Sequence, residues 1–519
     1  MARKPEAVAV PSIGALDRSA GQLGRQLAQS LRDAVRRGDL KPGEVLPSTR
    51  TLAASLQVAR GTVVEAFEQL IAEGFLQAQP GAATRVAQSL APAAAEARSA
   101  HGARTSSVKA APISRRAQLF AQVARQFAAV PQAPFAVSVP VGPAAPDDIW
   151  RRLGNRLRAR GPGAPASYGD PQGARELREA IADYVRRSRS VRCDAEQVII
   201  TSGTQQGLYL SCQVLLDADT PAWVEDPAYR GITAILESTG RPERMIRVPV
   251  DAEGLDVHEG IRRGPHAKAA FVTSSHQYPL GMPLSMARRN ALLTWARAND
   301  AWVVEDDYDS ELRYAGHPFP SLQGLAPDRV IYLGTFSKIL YPSLRLGYAV
   351  VPENFVDAFC GARVLMDRNP PNADQHVLAA FIAEGHLDRH IRRIRGVYAE
   401  RRACIIGTIE RLLPKHIAWL QPSDQGMHLV LWLAAGIDDR QVASLAIESG
   451  VVVRAVSPMY SGGNGPMGLI LGLGGFSDEE IESAAQRLAA SIESIASVAN
   501  VTTAARGANR RKRKNTRTT

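Results

Sequence analysis

Between residues 23 and 72 apolar side chains recur at helical spacing three times. Leu27, Leu31 and Val35 stripe one segment, and Leu52 and Leu56 stripe a second, with Ser48 placed to cap it. Val63, Phe67 and Leu70 line one face of a third, whose remaining surface displays Arg60, Thr62, Val64 and Glu65. Two short extended pieces, around Phe75 to Gln79 and Thr84 to Ala87, are joined across "PGAA" and predict a wing. Beyond Phe135 the pattern changes to short apolar runs separated by helical stretches: "QVIITSG", "PAWVEDP", "MIRVPV", "KAAFVTSS", "NDAWVVEDD" and "RVIYLGTFS". Most are rich in β-branched residues, which predicts an α/β domain with a mainly parallel sheet. "GVVVRAV" and "GLILGLG" predict a second, smaller sheet in an α/β subdomain. Residues 88–134 are Ala-rich with scattered Arg, Ser and Pro and no sustained strand pattern. They read as a linker, helical in parts such as "RRAQLFAQVARQFAA".

A chain of 519 residues holds two or more domains. The boundaries expected are 17–87 for the helical module, 135–495 for the α/β domain and 496–519 for a tail. Cys193, Cys212, Cys360 and Cys404 have neither metal-site spacing nor the density of a disulfide framework, so no metal site is expected. The N-terminus lacks a signal peptide's apolar core, and no stretch is apolar for eighteen residues, so a cytoplasmic protein without a membrane span is expected. The net charge of +11 suggests nucleic acid, but Arg506, Arg510, Arg511, Lys512, Arg513, Lys514 and Arg517 supply seven of those charges in one tail, leaving +4 for the rest. That tail reads as basic and disordered.

In the helical module, a helix-turn-helix reading places the third helix in a major groove, with basic and small residues at helix starts on phosphates. Arg50 and Arg60 are phosphate or base-edge candidates, Thr62 can donate to the DNA backbone, and Arg85 stands on the wing. The pieces "LKPGEVLPSTRTLA", "VARGTVVEAFEQL" and "EGF", with the terminal wing, resemble the winged helix-turn-helix domain of GntR-type bacterial regulators. The resemblance implies dimeric recognition of operator DNA. The wing tip departs from the usual glycine-rich pattern, reading "GAAT".

In "YLGTFSKILYPSLRLGY" a lysine follows a predicted strand in an apolar-flanked turn. Burial there favours a neutral amine, the form that bonds an aldehyde. Thr335 and Ser337 offer hydroxyls beside Lys338, and Arg345 offers a forked donor for phosphate. "TSGTQQG" puts Gly203, Thr204 and Gln205 at a strand-to-helix junction that favours phosphate. Tyr229 in "VEDPAYRG" can stack on a planar ring, while in "VVEDDYDSE" Asp306 can accept from a protonated pyridine nitrogen and Tyr308 can donate to a ring oxygen. Each piece alone also suits a helix cap, a loop aromatic or a solvated edge; their joint order points to a pyridoxal 5'-phosphate site.

From about Phe135 to Ser494 these motifs, with "SYGDPQGARELREAI" and "SSHQYPLGMPLSMARR", resemble the fold-type-I aminotransferases. The whole chain resembles the MocR-type regulators of the GntR superfamily, a winged helix-turn-helix fused to an aminotransferase-like domain with a smaller α/β subdomain. The resemblance implies an internal aldimine on Lys338 and phosphate held by Thr204, Gln205, Ser337 and Arg345. It also implies a pyridine nitrogen paired with Asp306, Tyr308 on the phenolic oxygen, and Tyr229 stacked on the ring. Two departures stand out. Tyr278 in "HQYPLG" replaces the Asn common in aminotransferases, leaving the second phenolic contact changed or supplied by His276 or Gln277. "GLILGLG" has Ile470 where an arginine would clamp a substrate carboxylate, which argues against efficient transamination unless Arg454 or another neighbour substitutes. The reading is a homodimeric, DNA-binding transcriptional regulator whose DNA binding responds to the cofactor or to an amine or amino acid forming an aldimine with it. The alternative is a working aminotransferase that carries a DNA-binding domain.

Overall fold

The computed structural model describes residues 16–79, 82–88, 112–127, 131–137, 142–160, 167–239, 242–316 and 319–515. It divides into two compact units, Met1–Pro112 and Ile113–Thr519.

The first unit is built from helices α1 (Leu23–Arg37), α2 (Thr49–Leu56) and α3 (Arg60–Ala72), followed by strands β1 (Leu76–Gln77) and β2 (Arg85–Val86). The three helical stripes meet: Leu27, Leu31, Val35, Leu52, Val63, Phe67 and Leu70 bury together with Leu76 and Val86 of the wing. Ser48 caps α2 by accepting from the Thr51 amide at 3.2 Å, satisfying a donor that the first turn leaves open. β1 and β2 pair antiparallel, Leu76 opposite Val86. Pro80 and Gly81 of the wing tip lie outside the described residues.

The second unit holds an eight-stranded sheet: β3 (Val198–Thr201), β4 (Ala222–Asp226), β5 (Met245–Asp251), β6 (Gly254–Leu255), β7 (Ala269–Val272), β8 (Trp302–Asp307), β9 (Val330–Thr335) and β10 (Gly347–Val350). Their order is β3-β10-β9-β8-β7-β4-β5-β6. β5, β4, β7, β8 and β9 run parallel; β10 runs against both β9 and β3. The apolar runs are continuous because both faces are covered. Side chains alternate between two cores, Val224 and Val304 on one side, Trp223 and Val303 on the other. Trp223 stacks on Trp295 of the helix Met286–Ala298 with ring centroids 3.7 Å apart. The parallel strands and β3 all end at one edge, where loops from several strands converge.

A second sheet combines β11 (Ala418–Leu420), β12 (His428–Leu433), β13 (Arg454–Ala455) and β14 (Gly468–Gly472) in the order β11-β12-β14-β13, antiparallel throughout. The long helix His386–Leu412 buries Ile391, Ile394, Tyr398, Ile405 and Ile409 in the core that this subdomain shares with the large sheet.

The stretch read as helical within the linker forms a helix, Arg115–Gln126, and groups with the second unit rather than standing between the two. Arg230 of the helix Arg230–Ser238 donates to Gln126 at 2.8 Å, and Ser114 caps its start. The tail read as disordered continues the last helix, Asp478–Asn515. Its Ala, Arg and Lys content favours helix, and Gly507 alone does not break it.

Candidate functional site

At the strand-end edge, β3 gives way to the helix Thr204–Leu215 through Gly203, whose φ of 77° lies in the left-handed region. A side chain there would also crowd Arg345, with a Cβ 3.3 Å from its Nη2. Arg345 itself adopts φ 49°, in the left-handed region that residues other than glycine seldom enter, and donates from Nη2 to the Ser202 carbonyl at 2.7 Å. This brings a guanidinium over the N-terminus of a twelve-residue helix, where free amides and the dipole already favour an anion. Ser337 precedes the lysine in the turn that carries Arg345. Its hydroxyl is buried and has no partner among the described residues, while its amide is held by Thr335 Oγ1 at 3.1 Å.

Below this cradle a cavity of about 230 Å³ is lined by Lys338, Asp306, Tyr308, Tyr229, Thr204 and Tyr278, joined by Phe127, Val137, Thr273 and Arg454. Burial holds the Lys338 amine below the ordinary lysine range, and the positive charges of Arg454 and Arg345 act in the same direction against Asp309 and Asp306. Asp306 is raised to about 7, first by burial and then by the neighbouring Asp307. One of its oxygens, Oδ1, is buried without a partner among the described residues, and Thr204 bonds the carboxyl. The adjacent acid is spent differently: Asp307 pairs with Arg189 at 2.8 Å and accepts from Tyr332 at 2.7 Å. The structure therefore separates two acids that the sequence presents side by side.

Tyr229 stands just before the helix Arg230–Ser238 and donates to Gln205 Oε1 at 3.0 Å; burial pushes its phenol up to about 12. The Gln205 side chain is thus turned to Tyr229 and to the Gly231 carbonyl, leaving only its backbone amide for the anion cradle. Thr335 is likewise engaged with backbone, so of the two hydroxyls flanking the lysine turn only that of Ser337 is open. Tyr308 lies 3.1 Å from His276 Nδ1, which is 2.9 Å from Asp309. His428 packs over His276 with centroids 4.6 Å apart and is held neutral, well below the ordinary histidine range, by burial first and by His276 next. No local signal marks His428 or Asp309 for this place, because long-range folding brings them beside His276.

Ile470 is buried among Leu280, Val430, Val456 and the half-buried Tyr278. Directly opposite it across the β13–β14 pair is Arg454. Opposed residues of an antiparallel pair share a face, with Cβ atoms about 5 Å apart. Arg454 bonds Tyr278. A guanidinium therefore stands one strand away from the position where the sequence lacks one.

In the first unit Arg50 lies in the first turn of α2 and Arg60 opens α3, both exposed. The Arg60 Nε is 3.5 Å from Thr49 Oγ1, which puts the two helix starts side by side. Thr62 is half-buried in the first turn of α3, and Arg85 is exposed on β2, reaching the Gly43 carbonyl at 3.3 Å. Two positive helix ends and two basic side chains on one surface suit a phosphate backbone.

A winged helix-turn-helix and a fold-type-I aminotransferase domain on one chain define a class of DNA-binding regulators with an enzyme-like body. The family described as bacterial regulatory proteins, gntR family, matches residues 23–86, and the family aminotransferase class I and II matches residues 148–488. The probable rhizopine catabolism regulatory protein MocR of Rhizobium meliloti is 37% identical over 465 residues, covering 89% of this chain and 92% of that one. The pyridoxine biosynthesis transcriptional regulator PdxR of Corynebacterium glutamicum is 34% identical, covering 88% and 93%. Among solved structures, the α-aminoadipate aminotransferase LysN of Thermus thermophilus, complexed with N-(5'-phosphopyridoxyl)-L-leucine, superposes with a TM-score of 0.65 at 26% identity, covering 70% of this chain and 92% of that one. The kynurenine aminotransferase of Pyrococcus horikoshii, in complex with PMP, gives 0.63 at 27%, covering 76% and 98%. The chain belongs to the MocR-type transcriptional regulators of the GntR superfamily.

Proposed function

We propose that the second unit holds pyridoxal 5'-phosphate and that exchange of an amine at that cofactor changes how the first unit binds operator DNA. The observation that carries this is a pair of buried atoms without a partner among the described residues: Ser337 Oγ, next to Lys338 in the chain, and Asp306 Oδ1, on an acid that lines the cavity with Lys338. A phosphate would supply the missing partner of the first and a protonated ring nitrogen that of the second. When bound, the cofactor supplies an aldehyde carbon that exchanges one amine for another reversibly.

The chain's residues supply the rest. Lys338, with burial and Arg454 lowering its proton affinity, would provide the amine that holds the cofactor's aldehyde carbon. Arg345, Ser337 and the start of the helix Thr204–Leu215 hold the phosphate. Asp306 holds the ring nitrogen's proton, Tyr308 reaches the phenolic oxygen, and Tyr229 borders the ring. Arg454 offers an acidic group on the ligand its guanidinium fork. In the first unit Arg50, Arg60, Thr62 and Arg85 contact DNA. Recognition of two half-sites calls for a homodimer. Regulation requires that the two ligand states bind DNA differently, since equal affinity shifts nothing.

The test is a titration of cofactor-loaded protein with candidate amines, following the cofactor's visible band and binding to the upstream DNA of its own gene at fixed salt. Lys338→Ala should lose both the band of the lysine-bound cofactor and the amine response of DNA binding. If the band goes and every amine response stays, coupling through Lys338 is wrong. Sustained ketoacid-dependent turnover would favour a working aminotransferase instead.

A further inference from the structure

We infer that His276 and Asp309 are positioning residues that fix the direction of the Tyr308 hydroxyl, so that its hydrogen points into the cavity. The inference rests on the proposed contact of Tyr308 with the cofactor's phenolic oxygen and adds the device that sets its polarity. Asp309 Oδ2 accepts from the Met427 amide at 3.1 Å and lies 2.9 Å from His276 Nδ1. A carboxylate oxygen only accepts, so a lone pair on Nδ1 would face another lone pair at that distance; Nδ1 therefore carries the hydrogen. Tyr308 Oη is 3.1 Å from the same Nδ1 and can only accept from it. The phenol's own hydrogen is left to donate elsewhere, and Tyr308 lines the cavity with Lys338.

The surroundings keep this arrangement in place. His276 and Asp309 side chains are each 1% exposed, so water does not compete. Gly426, at φ 82°, packs so tightly on the imidazole that a Cβ there would sit 1.9 Å from His276 Cε1. His428, whose Nε2 donates to the Pro279 carbonyl at 3.0 Å, packs on His276 with its Nδ1 buried and without a partner among the described residues, so it offers no second donor to the phenol. Without Asp309, His276 is free to move its hydrogen to Nε2. Nδ1 then accepts, and Tyr308 donates backwards, away from the cavity. The same tautomer logic governs a histidine backed by a buried acid in hydrolytic triads.

Two measurements test this. Nitrogen-15 NMR of histidine-labelled, cofactor-free protein, with the His276 signal assigned by its loss in His276→Leu, should show a protonated Nδ1; an unprotonated Nδ1 overturns the inference whatever the cofactor does. In cofactor-loaded protein, the pH midpoint of the visible band should rise by about one unit in His276→Leu and Asp309→Ala, the size of one lost charge-assisted hydrogen bond. Asp309→Asn, whose amide oxygen still accepts from both donors, should shift less. Tyr308→Phe should raise the midpoint by itself and make His276→Leu silent in its background, which a merely structural role would not do. A midpoint that ignores both variants, or shifts that add fully to that of Tyr308→Phe, overturns the inference alone. Absence of any band in the wild type overturns the cofactor reading and this inference with it.

Discussion

Asp306 places the needs of binding against those of folding. Its carboxyl moves from 3.8 to about 7, chiefly through burial, with one oxygen left without a donor. An acid whose folded value is raised contributes its full stability below its unfolded value and loses it as pH rises through the folded value. Between pH 4 and 7 the cofactor-free protein should therefore lose stability at this residue. At 1.36 kcal/mol per unit over about three units, the bound is about 4 kcal/mol, and relaxation brings the expected value to about 2–4 kcal/mol. Glu225 and Glu311, each raised to about 7 mainly by burial, titrate in the same window. They cancel when the wild type is compared with Asp306→Asn at each pH. All six tryptophans lie from Trp150 to Trp432, so urea unfolding followed by tryptophan fluorescence reports the second unit alone. Relative to the wild type, Asp306→Asn should gain about 2–4 kcal/mol more at pH 8 than at pH 4 in cofactor-free protein, and should bind pyridoxal 5'-phosphate more weakly. A stability difference that stays flat across that range would refute the reasoning, because a solvated or already paired carboxylate behaves that way.

Arg60→Ala should weaken operator binding across sequences or at one base position, with the cofactor band unchanged; equal DNA affinity in an anisotropy titration would remove Arg60 from the interface. Arg454→Ala should cost an amino acid about tenfold or more in the amine titration and its matched carboxyl-free amine little, the worth of a charge-assisted fork; a ratio of affinities that does not change would mean the guanidinium at β13 serves only Tyr278. Gly203→Ala combines a left-handed φ of 77° with a Cβ 3.3 Å from Arg345, so it should lower the melting temperature by a few degrees and weaken phosphate retention together. Unaltered cofactor affinity would show that Arg345 has room to move.

Most of this fold is written in local patterns. β3, β4, β5, β7, β8 and β9 fall on the apolar runs because a sheet covered on both faces needs continuous apolar residues, and Ser48 marks a helix start through its cap. β10 and β12 carry no separate local signal. "GYAV" follows too closely on the lysine turn, and "HLVLWL" has the same local signature as a buried helix segment. The cavity's lysine, acid and tyrosines sit in short motifs at strand ends, where the chain's order already groups them. Arg454 opposite Ile470, and His428 over His276, depend on register and subdomain packing, which no local window contains. Phe127 reaches the cavity wall from a segment whose composition alone suggests a tether.

β10 runs against β9, so one return of the chain between Thr335 and Gly347 carries both Lys338 and Arg345. The group proposed to bond the cofactor and the group proposed to hold its phosphate are therefore inherited as a single hairpin. Changes to that turn alter grip and reactivity together, leaving little scope for one to drift while the other is kept. Ligand choice has its freedom elsewhere, on the rim strands β13 and β14, where Arg454 and Ile470 stand opposite one another.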